Sequence, residues 1–311
     1  MRRLGVLVAL IALAGCGGSS GGDRDAATTR TVPGPLQVAN GPAQAADPGS
    51  RPLTLELNAV ADPLIVPFKR PPRSGLLFDL DTGEVLWRRL PDRILPIASL
   101  TKMMTALVVV QRSAPDDKVR VTKEALAYKG SAIGVLPKGK RVKLETILNG
   151  LLLPSGNDAA IALAQRMSGT VARFVTRMND QARRWGLECT RFSSPDGFED
   201  DGNHSCAVDL AALARAVLDR PRLARIVKRR RAVIPFPIKG GRLYLFNNNP
   251  LLRTGYPGAI GIKTGYTDAA GRCLVAAAQR NGRRLGVVLL HSPDPGKQAR
   301  QLLDRGFALG S

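Results

Sequence analysis

Strand-forming segments lie near both ends of this chain, and helix-forming segments occupy most of the sequence between them. Residues 75–89, GLLFDLDTGEVLWRR, contain two alternating apolar runs around Asp81-Thr82-Gly83, which predicts a β-hairpin. Near the other end, Asn281-Gly282 separates two apolar runs and predicts a second tight turn. This order predicts an α+β fold, in which an antiparallel sheet built from both ends of the domain is flanked by helices and carries a helical insert.

Apolar periodicity and stop signals place the helices. Pro154 ends one predicted helix, and Gly186 follows another. The segment beginning at Lys228, KRRRAV, is predicted to leave a helix and enter a strand. The predicted helices cover residues 100–112, 142–153, 157–169, 171–186, 207–219 and 295–309.

The first 15 residues are typical of an export signal. Two arginines precede an apolar run over residues 4–14 that is too short to span a membrane as a stable helix. The segment LAGC, which ends at Cys16, resembles a bacterial lipobox, and this resemblance implies cleavage before Cys16 and lipidation of its thiol. The alternative is a plain signal peptide that happens to contain a cysteine.

Residues 16–70 are predicted to be the lipid-bearing cysteine and a tether, and residues 71–311 the catalytic domain. Gly, Ser, Ala, Pro and Thr dominate residues 17–50 without periodicity, so this part cannot bury enough apolar surface to order itself. Residues 53–60, LTLELNAV, are compatible with an added edge strand. We expect an exported protein, lipid-anchored to the outer face of the bacterial cytoplasmic membrane or periplasmic.

The charge balance is strongly basic, with 46 Lys+Arg against 25 Asp+Glu and a formal net charge of +21. Such a charge attracts nucleic acid, but aromatic residues make up only 5% of the chain and no zinc-finger, RRM or basic-zipper pattern occurs. The sequence therefore argues against nucleic acid as a partner. The sequence instead favours a basic surface that faces solvent, an anionic polymer or lipid.

The cysteines and histidines narrow the chemistry. In an exported chain, Cys189 and Cys206 can form a disulfide around a short polar loop, with two free thiols as the alternative. Cys273 lies in an apolar run and is predicted to be a buried thiol. With only two histidines and no CxxC motif, a zinc site or a Ser-His-Asp triad has few candidate residues.

Ser99 and Lys102 lie three residues apart at the start of a predicted helix, so the two side chains share a face. A serine hydroxyl needs a base to become a nucleophile, and a lysine serves when burial or nearby positive charge lowers its pKa. Alone, this pair is most often an ordinary pair of polar residues at a helix start. Pro96 places the helix start close to Ser99, where backbone N–H groups favour developing negative charge.

Two further motifs change that interpretation. Ser155-Gly156-Asn157 follows a helix stopped by proline, where a hydroxyl can relay a proton and an amide can hold a substrate carbonyl or the lysine. Lys263-Thr264-Gly265 lies in a predicted strand, where a cation and a hydroxyl suit a carboxylate and the glycine allows substrate backbone to lie close. Lys263 is also expected to help keep Lys102 neutral.

The ordered set S-x-x-K, S-x-N and K-T-G resembles the penicillin-recognising serine enzymes. More narrowly, it is similar to the low-molecular-mass D-alanyl-D-alanine carboxypeptidases of the peptidase S11 family, over about residues 73–290. The segments PIASLTKMMTALV, LLLPSGNDAA, SPDGF, NNNPLL and GIKTGYTDAAG share in this likeness. The resemblance implies a β-lactamase/transpeptidase-like fold and no cofactor or metal.

The resemblance also implies a role for each motif residue. Ser99 is the nucleophile that attacks the bond between the two terminal D-alanines of a peptidoglycan stem peptide, and Lys102 is its general base. The remaining implied roles are a proton relay at Ser155, an amide contact from Asn157, a carboxylate site at Lys263, Thr264 and Gly265, and an oxyanion hole from the backbone N–H groups of Ser99 and Tyr266.

Several activities use these same residues. β-Lactam antibiotics acylate such a serine and act as inhibitors. The alternatives are a D,D-endopeptidase or transpeptidase, a serine β-lactamase of the same fold, and an inactive wall-binding protein. Tyr266 stands where some relatives have histidine, and we expect this to tune turnover because the backbone does the work there. Ile260 stands where many relatives have an acid.

Overall fold

The central sheet of the protein is assembled from segments near the two ends of its folded part. The computed structural model describes residues 51–57, 62–198, 201–237 and 241–309. The predicted export signal, Cys16 and residues 17–50 of the tether lie outside these residues. The strands are β1 (Ser74–Asp79), β2 (Val85–Arg89), β3 (Leu95–Pro96), β4 (Lys118–Arg120), β5 (Arg141–Lys143), β6 (His204–Ser205), β7 (Arg231–Pro235), β8 (Arg242–Phe246), β9 (Ala259–Thr267), β10 (Gly271–Arg280) and β11 (Arg283–Leu290).

A short 3₁₀ turn, Ala98–Thr101, precedes the first helix. The helices are α1 (Lys102–Val110), α2 (Lys123–Leu126), α3 (Leu144–Leu152), α4 (Asn157–Ser168), α5 (Val171–Arg184), α6 (Ala207–Leu218), α7 (Pro221–Val227), α8 (Pro250–Arg253) and α9 (Pro295–Ala308). The longer helices and the KRRRAV transition lie where the sequence predicts them. No helix in the described part of the chain is both long and apolar enough to span a membrane.

The main sheet has the strand order β2-β1-β11-β10-β9, with every neighbouring pair antiparallel. The N-terminal strand β1 pairs with the last strand β11, which confirms a sheet built from both ends of the domain. The turn between β10 and β11 has left-handed backbone at both Asn281 (φ 48°) and Gly282 (φ 82°), as a tight hairpin turn of this kind requires. β9 lies at one edge of the sheet, and its outer edge faces the functional residues described below.

Helices cover both faces of this sheet. Alternate residues of β1 point to opposite faces, so Leu77 joins Leu302 and Leu303 of α9 in one apolar layer. Phe78 and Val288 point the other way and join the larger core formed with α6 and the helical insert. Burial on both faces explains why β1 is apolar almost throughout, without the alternation of a half-exposed strand.

α1 is the central helix of the insert. It contacts α3, α4, α5 and α6, and its residues from Lys102 to Val109 are buried. The sequence KMMTALVVV suits this position because every residue after the first is apolar except Thr105. Lys102 is therefore a cationic side chain placed in a largely apolar surrounding.

The edge strand with which residues 53–60 are compatible does not form in the described residues 53–57. Only a single parallel bridge forms, between Glu56 and Glu84. The segment crosses the β1–β2 turn, where a Cβ on Gly83 would lie 2.2 Å from the Thr54 carbonyl oxygen. A segment lying over a turn cannot run alongside a strand, so the ladder stops after one bridge.

Candidate active site

Ser99 lies in the 3₁₀ turn that leads into α1, and Lys102 is the first residue of that helix. Ser99 is half-buried, whereas Lys102 is fully buried. Ala98, immediately before the serine, has left-handed backbone (φ 48°), a conformation that costs an L-residue free energy. The turn therefore presents Ser99 at the edge of the core with the lysine directly beneath it.

The Lys102 ammonium has three oxygen acceptors. Nζ donates to Ser99 Oγ at 2.7 Å, to Asn157 Oδ1 at 2.7 Å and to the backbone oxygen of Asp196 at 2.8 Å. Burial lowers the pKa of Lys102 to about 7, although the charges of Asp196 and Asp158 act in the opposite direction. At neutral pH a large share of this side chain is therefore a free amine in contact with the serine hydroxyl.

Ser155 lies in the loop between α3 and α4, and Asn157 stands at the start of α4. α3 ends at Leu152, and Ser155 then adopts left-handed backbone (φ 70°) before Asn157 begins α4. Asn157 Nδ2 donates to the Lys129 carbonyl, so the amide oxygen is turned toward Lys102. The loop thus fixes the amide orientation and brings the Ser155 hydroxyl to the same cleft.

Lys263 extends from the edge strand β9 into the same cleft. Its Nζ donates to Ser155 Oγ at 2.9 Å and to the Thr264 carbonyl at 2.9 Å, and its side chain is 1% exposed. Burial, followed by the positive charge of Lys102, holds the pKa of Lys263 well below its ordinary value. We expected Lys263 to help keep Lys102 neutral, but the main cause of the low Lys102 pKa is burial, and the charges that act most on it, those of Asp196 and Asp158, raise it.

Gly265 allows β9 to pass close to the turn that carries the nucleophile. A Cβ at this position would lie 2.9 Å from the Ile97 carbonyl oxygen and 3.1 Å from the Ser99 backbone nitrogen. The sequence predicts that Gly265 leaves room for the substrate backbone. The structure adds that the protein's own backbone, in the turn before α1, also requires a glycine here. The next residue, Tyr266, is 63% exposed, and its hydroxyl donates to Asp268 Oδ1 at 2.9 Å.

The three sequence motifs therefore converge on one cleft. Ser99, Lys102 and Asn157 form one hydrogen-bonded group, and Ser155 with Lys263 forms a second. Thr264, Gly265 and Tyr266 follow Lys263 along the exposed edge of β9.

The Asp196 carbonyl is the contact that sequence reasoning missed. Its signal in the sequence is the segment SPDGF, residues 194–198, which contains this carbonyl. Its glycine, Gly197, has φ 71°, and a Cβ there would lie 2.1 Å from the Ala98 carbonyl oxygen. Thr105 Oγ1 also donates to the Pro195 carbonyl at 2.6 Å, so α1 holds this loop against the lysine.

The same loop is closed by a disulfide. Cys189 and Cys206 are bonded in the structure, with their Cα atoms 5.5 Å apart. Cys273 is buried in β10, and its Sγ donates to the Ala270 carbonyl at 3.5 Å. The disulfide therefore links two residues 17 positions apart in sequence, and the segment between them contains the Asp196 carbonyl.

Comparisons with known proteins agree with this geometry. The sequence model of the D-alanyl-D-alanine carboxypeptidase family, peptidase S11, matches residues 68–294. The chain is 32% identical to D-alanyl-D-alanine carboxypeptidase DacF of Bacillus subtilis over 76% of its own length and 62% of that protein. It is 36% identical to D-alanyl-D-alanine carboxypeptidase DacB2 of Mycobacterium tuberculosis over 77% of its length and 83% of that protein.

Solved structures give the same result for the fold. A D-alanyl-D-alanine carboxypeptidase from Mycobacterium tuberculosis superposes with a TM-score of 0.74 at 34% identity, covering 80% of this chain and 96% of that one. The DD-transpeptidase of Streptomyces K15 gives a TM-score of 0.72 at 32% identity, covering 78% of this chain and all of the other. The chain thus shares its fold with a D-alanyl-D-alanine carboxypeptidase and with a DD-transpeptidase.

Proposed function

The chain belongs to the peptidase S11 family of D-alanyl-D-alanine carboxypeptidases, and from this premise we propose that it removes the terminal D-alanine of peptidoglycan stem peptides through an acyl-enzyme on Ser99. One observation carries the proposal: Lys102 Nζ lies 2.7 Å from Ser99 Oγ and has a pKa lowered to about 7. A lysine in that state can accept the serine proton, whereas an ordinary lysine cannot.

Acylation begins when neutral Lys102 takes the proton of the Ser99 hydroxyl. Oγ then bonds to the carbonyl carbon of the penultimate D-alanine, and the carbonyl oxygen becomes an oxyanion beside the Ser99 backbone N–H, with the Tyr266 N–H as the second proposed donor. The carbon–nitrogen bond then breaks and the departing amine takes a proton. Ser155 can relay to this amine the proton that Lys102 took from Ser99, because its hydroxyl lies in the same cleft, where it accepts a hydrogen bond from Lys263.

The terminal carboxylate of the substrate is proposed to bind Lys263 and Thr264. Lys263 is buried and its pKa is low in the empty site, so an arriving carboxylate raises that pKa and restores the ammonium. The substrate backbone would extend along β9, which is an edge strand of the sheet. This placement brings the scissile carbonyl to Ser99, because Gly265 holds β9 against the turn that bears it.

Water completes the reaction by hydrolysing the acyl-enzyme. β-Lactams would enter by the same acylation step, since their strained amide presents a carbonyl and a carboxylate to the same groups. Because the opened ring stays attached to the acyl group, the leaving nitrogen cannot diffuse away. A slowly released penicilloyl-enzyme is therefore expected.

The test uses fluorescent penicillin and diacetyl-L-lysyl-D-alanyl-D-alanine with the wild-type protein and with Ser99→Ala. We expect covalent label and D-alanine release in the wild type, and neither in the variant. Label that survives Ser99→Ala would refute the assignment of the nucleophile. Rapid loss of label would identify a β-lactamase, and products longer than the substrate would identify a transpeptidase, the activity named for the Streptomyces K15 neighbour.

We also propose that the protein is exported and held to the outer face of the cytoplasmic membrane by a lipid on Cys16. The support is the sequence of residues 1–16, with a charged start, a short apolar run and a terminal LAGC. The test is metabolic labelling with a fatty-acid tracer followed by membrane fractionation. We expect label and membrane retention in the wild type and loss of both in Cys16→Ser; an unlabelled wild type refutes the proposal.

A further inference from the structure

One face of the β7–β8 hairpin exposes apolar side chains to solvent. The two strands pair antiparallel outside the main sheet, with Arg231 opposite Phe246 and Val233 opposite Tyr244. Alternate residues point inward and belong to the larger core or pack against it: Ala232, Ile234, Leu243 and Leu245. The remaining residues form an exposed outer face, which we call the docking face: Arg231, Val233, Pro235, Arg242, Tyr244 and Phe246.

The docking face departs from the pattern of an ordinary solvent-exposed strand pair. When one face of an antiparallel ribbon packs on a core, its other face is usually polar. Here Val233 is 43% exposed, Tyr244 58% and Phe246 60%. These three side chains are neighbours on the face, and a contiguous exposed apolar group is more typical of an interaction site than scattered apolar residues are.

The surroundings of the docking face are strongly basic. No Asp or Glu occurs between Asp219 and Asp268, whereas Lys and Arg recur through this segment. Within the parts of the chain that the structure describes, no ion pair with a carboxylate is formed by the cations on and next to the hairpin: Lys228, Arg229, Arg230, Arg231, Arg242 and Arg253. The hairpin therefore presents positive charge that the rest of the described chain leaves uncompensated.

We propose that the docking face binds the surface of a membrane that contains anionic lipids. Aromatic and arginine side chains suit the membrane–water interface, where rings enter the headgroup region and guanidinium groups meet lipid phosphates. Tyr244 and Phe246 supply the rings. Arg231 and Arg242 lie at opposite ends of the face, so its apolar centre has a cation at each end.

The composition of the docking face favours lipid over the glycan strands of a cell wall. A surface that binds sugars combines aromatic rings with amide or carboxylate groups that pair with hydroxyls, and the docking face has neither an amide nor a carboxylate side chain. A lipid headgroup does not need them, because its phosphate accepts hydrogen bonds from arginine. The face is therefore equipped for an apolar layer bordered by phosphates.

The proposed N-terminal lipid makes a weak docking face sufficient. Cys16 and Arg51, the first described residue, are separated by 35 positions. A random coil of this length spans about 30–35 Å on average. A domain held so near the membrane meets it at a high effective concentration, so contacts too weak to retain the domain alone can set its orientation. The cellular role of the docking face thus draws on that lipid, whereas the binding measurement does not require it.

The experiment measures how residues 17–311 partition onto vesicles made of equal parts phosphatidylglycerol and phosphatidylcholine. This protein retains every described residue and lacks Cys16, so its binding cannot come from the proposed lipid. We expect the wild-type sequence to bind these vesicles, and to bind pure phosphatidylcholine about tenfold more weakly. Tyr244→Ser/Phe246→Ser and Arg231→Gln/Arg242→Gln should each lower the partition coefficient on the anionic vesicles by about tenfold or more.

The matched control removes the same charge elsewhere. Arg112 and Arg173 are exposed and lie outside the hairpin, the first after α1 and the second on α5. Arg112→Gln/Arg173→Gln should keep the partition coefficient within about twofold, because lipid phosphates attract mainly the charges within a Debye length of the surface. Thermal unfolding of each variant separates loss of binding from loss of the fold.

A tryptophan on the docking face locates the contact. Both native tryptophans, Trp87 and Trp185, are buried, so an added exposed indole reports on the lipid that reaches it. Tyr244→Trp should be quenched by vesicles with brominated acyl chains. Ile65→Trp should not, because Ile65 is 85% exposed beside β2, at the opposite edge of the main sheet from β9, whereas α7, which leads into the hairpin, contacts β9.

Absence of wild-type binding to anionic vesicles overturns the inference, as do equal quenching of the two added tryptophans and binding that either docking-face variant keeps. Equal binding to pure phosphatidylcholine overturns the assignment to anionic lipid. Binding to isolated peptidoglycan that the docking-face variants lose, while their vesicle binding is unchanged, would assign the face to the cell wall instead. Vesicle binding that the docking-face variants lose and the control keeps, with quenching at position 244 alone, is the confirming result.

Discussion

The rate of acylation should depend on pH through the protonation of Lys102. Only the neutral amine can accept the Ser99 proton, so the second-order rate constant for acylation by a penicillin rises with pH as Lys102 loses its proton. The Lys102 pKa is lowered to about 7, and burial is the main cause. An ordinary lysine would give the same rise about three pH units higher.

The magnitude follows from the neutral fraction of one titrating group. With a pKa of about 7, roughly one lysine in eleven is neutral at pH 6 and roughly ten in eleven at pH 8, so the rate should rise about tenfold across this range. The carboxylate of the penicillin remains ionised throughout. Lys263 meets that carboxylate as an ammonium, although burial and the charge of Lys102 lower its pKa.

The assay is stopped-flow acylation by a fluorescent penicillin between pH 5 and pH 9, with Lys102→Met as the matched control. Methionine preserves the unbranched side chain and removes the base, so the rate should fall by about 10²–10⁴ and lose its ascending limb. Thermal unfolding at each pH separates this loss from unfolding. A wild-type rate independent of pH below 7, or an ascending limb retained in Lys102→Met, would refute Lys102 as the general base.

Three further outcomes are expected. Asn157→Asp places a carboxylate against Lys102 and should move the ascending limb to higher pH by about 1–3 units; an unmoved midpoint in the same stopped-flow profile contradicts this electrostatic argument. Gly265→Ala puts a Cβ 2.9 Å from a backbone carbonyl of the nucleophile's turn and should slow acylation about 100-fold or more, and an unchanged rate would show that the turn yields freely. Replacing Cys189 and Cys206 together by alanine should lower the free energy of unfolding by about 3 kcal/mol for a 17-residue separation, and a denaturant titration with no shift in midpoint would contradict it.

Local patterns in the sequence are sufficient to predict most of the fold. The apolar periods of helices and strands, and the turn residues between them, are visible in residues close together along the chain. The hairpin turn at Asn281-Gly282 and the buried helix after Ser99 both follow from such patterns. The site depends on contacts of another kind. Lys102 meets the Asp196 carbonyl across 94 residues, and Lys263 meets Ser155 across 108. No local propensity encodes these distances, so the sequence predicts their members only through resemblance.

The features that make Ser99 reactive are the least predictable from the sequence, because they result from packing. The motif S-x-x-K places an amine near a hydroxyl in any helix, where the lysine would be exposed and charged. Here α1 is apolar apart from Lys102 and Thr105, and burial of the lysine lowers its pKa. The turn before it holds Ala98 in left-handed backbone, a conformation that costs about 1–3 kcal/mol.

Two glycines remote in sequence make this strained turn possible. A Cβ on Gly197 would lie 2.1 Å from the Ala98 carbonyl oxygen, and one on Gly265 would lie 3.2 Å from the Ala98 Cβ. The loop after α5 and the strand β9 therefore close on the turn from two sides, and their packing offsets the cost of its backbone. Since the same loop supplies the Asp196 carbonyl and the same strand supplies Lys263, the contacts that restrain Ser99 also set the charge of its surroundings. Positioning and activation of the nucleophile thus have a common structural origin in these two glycine-bearing segments.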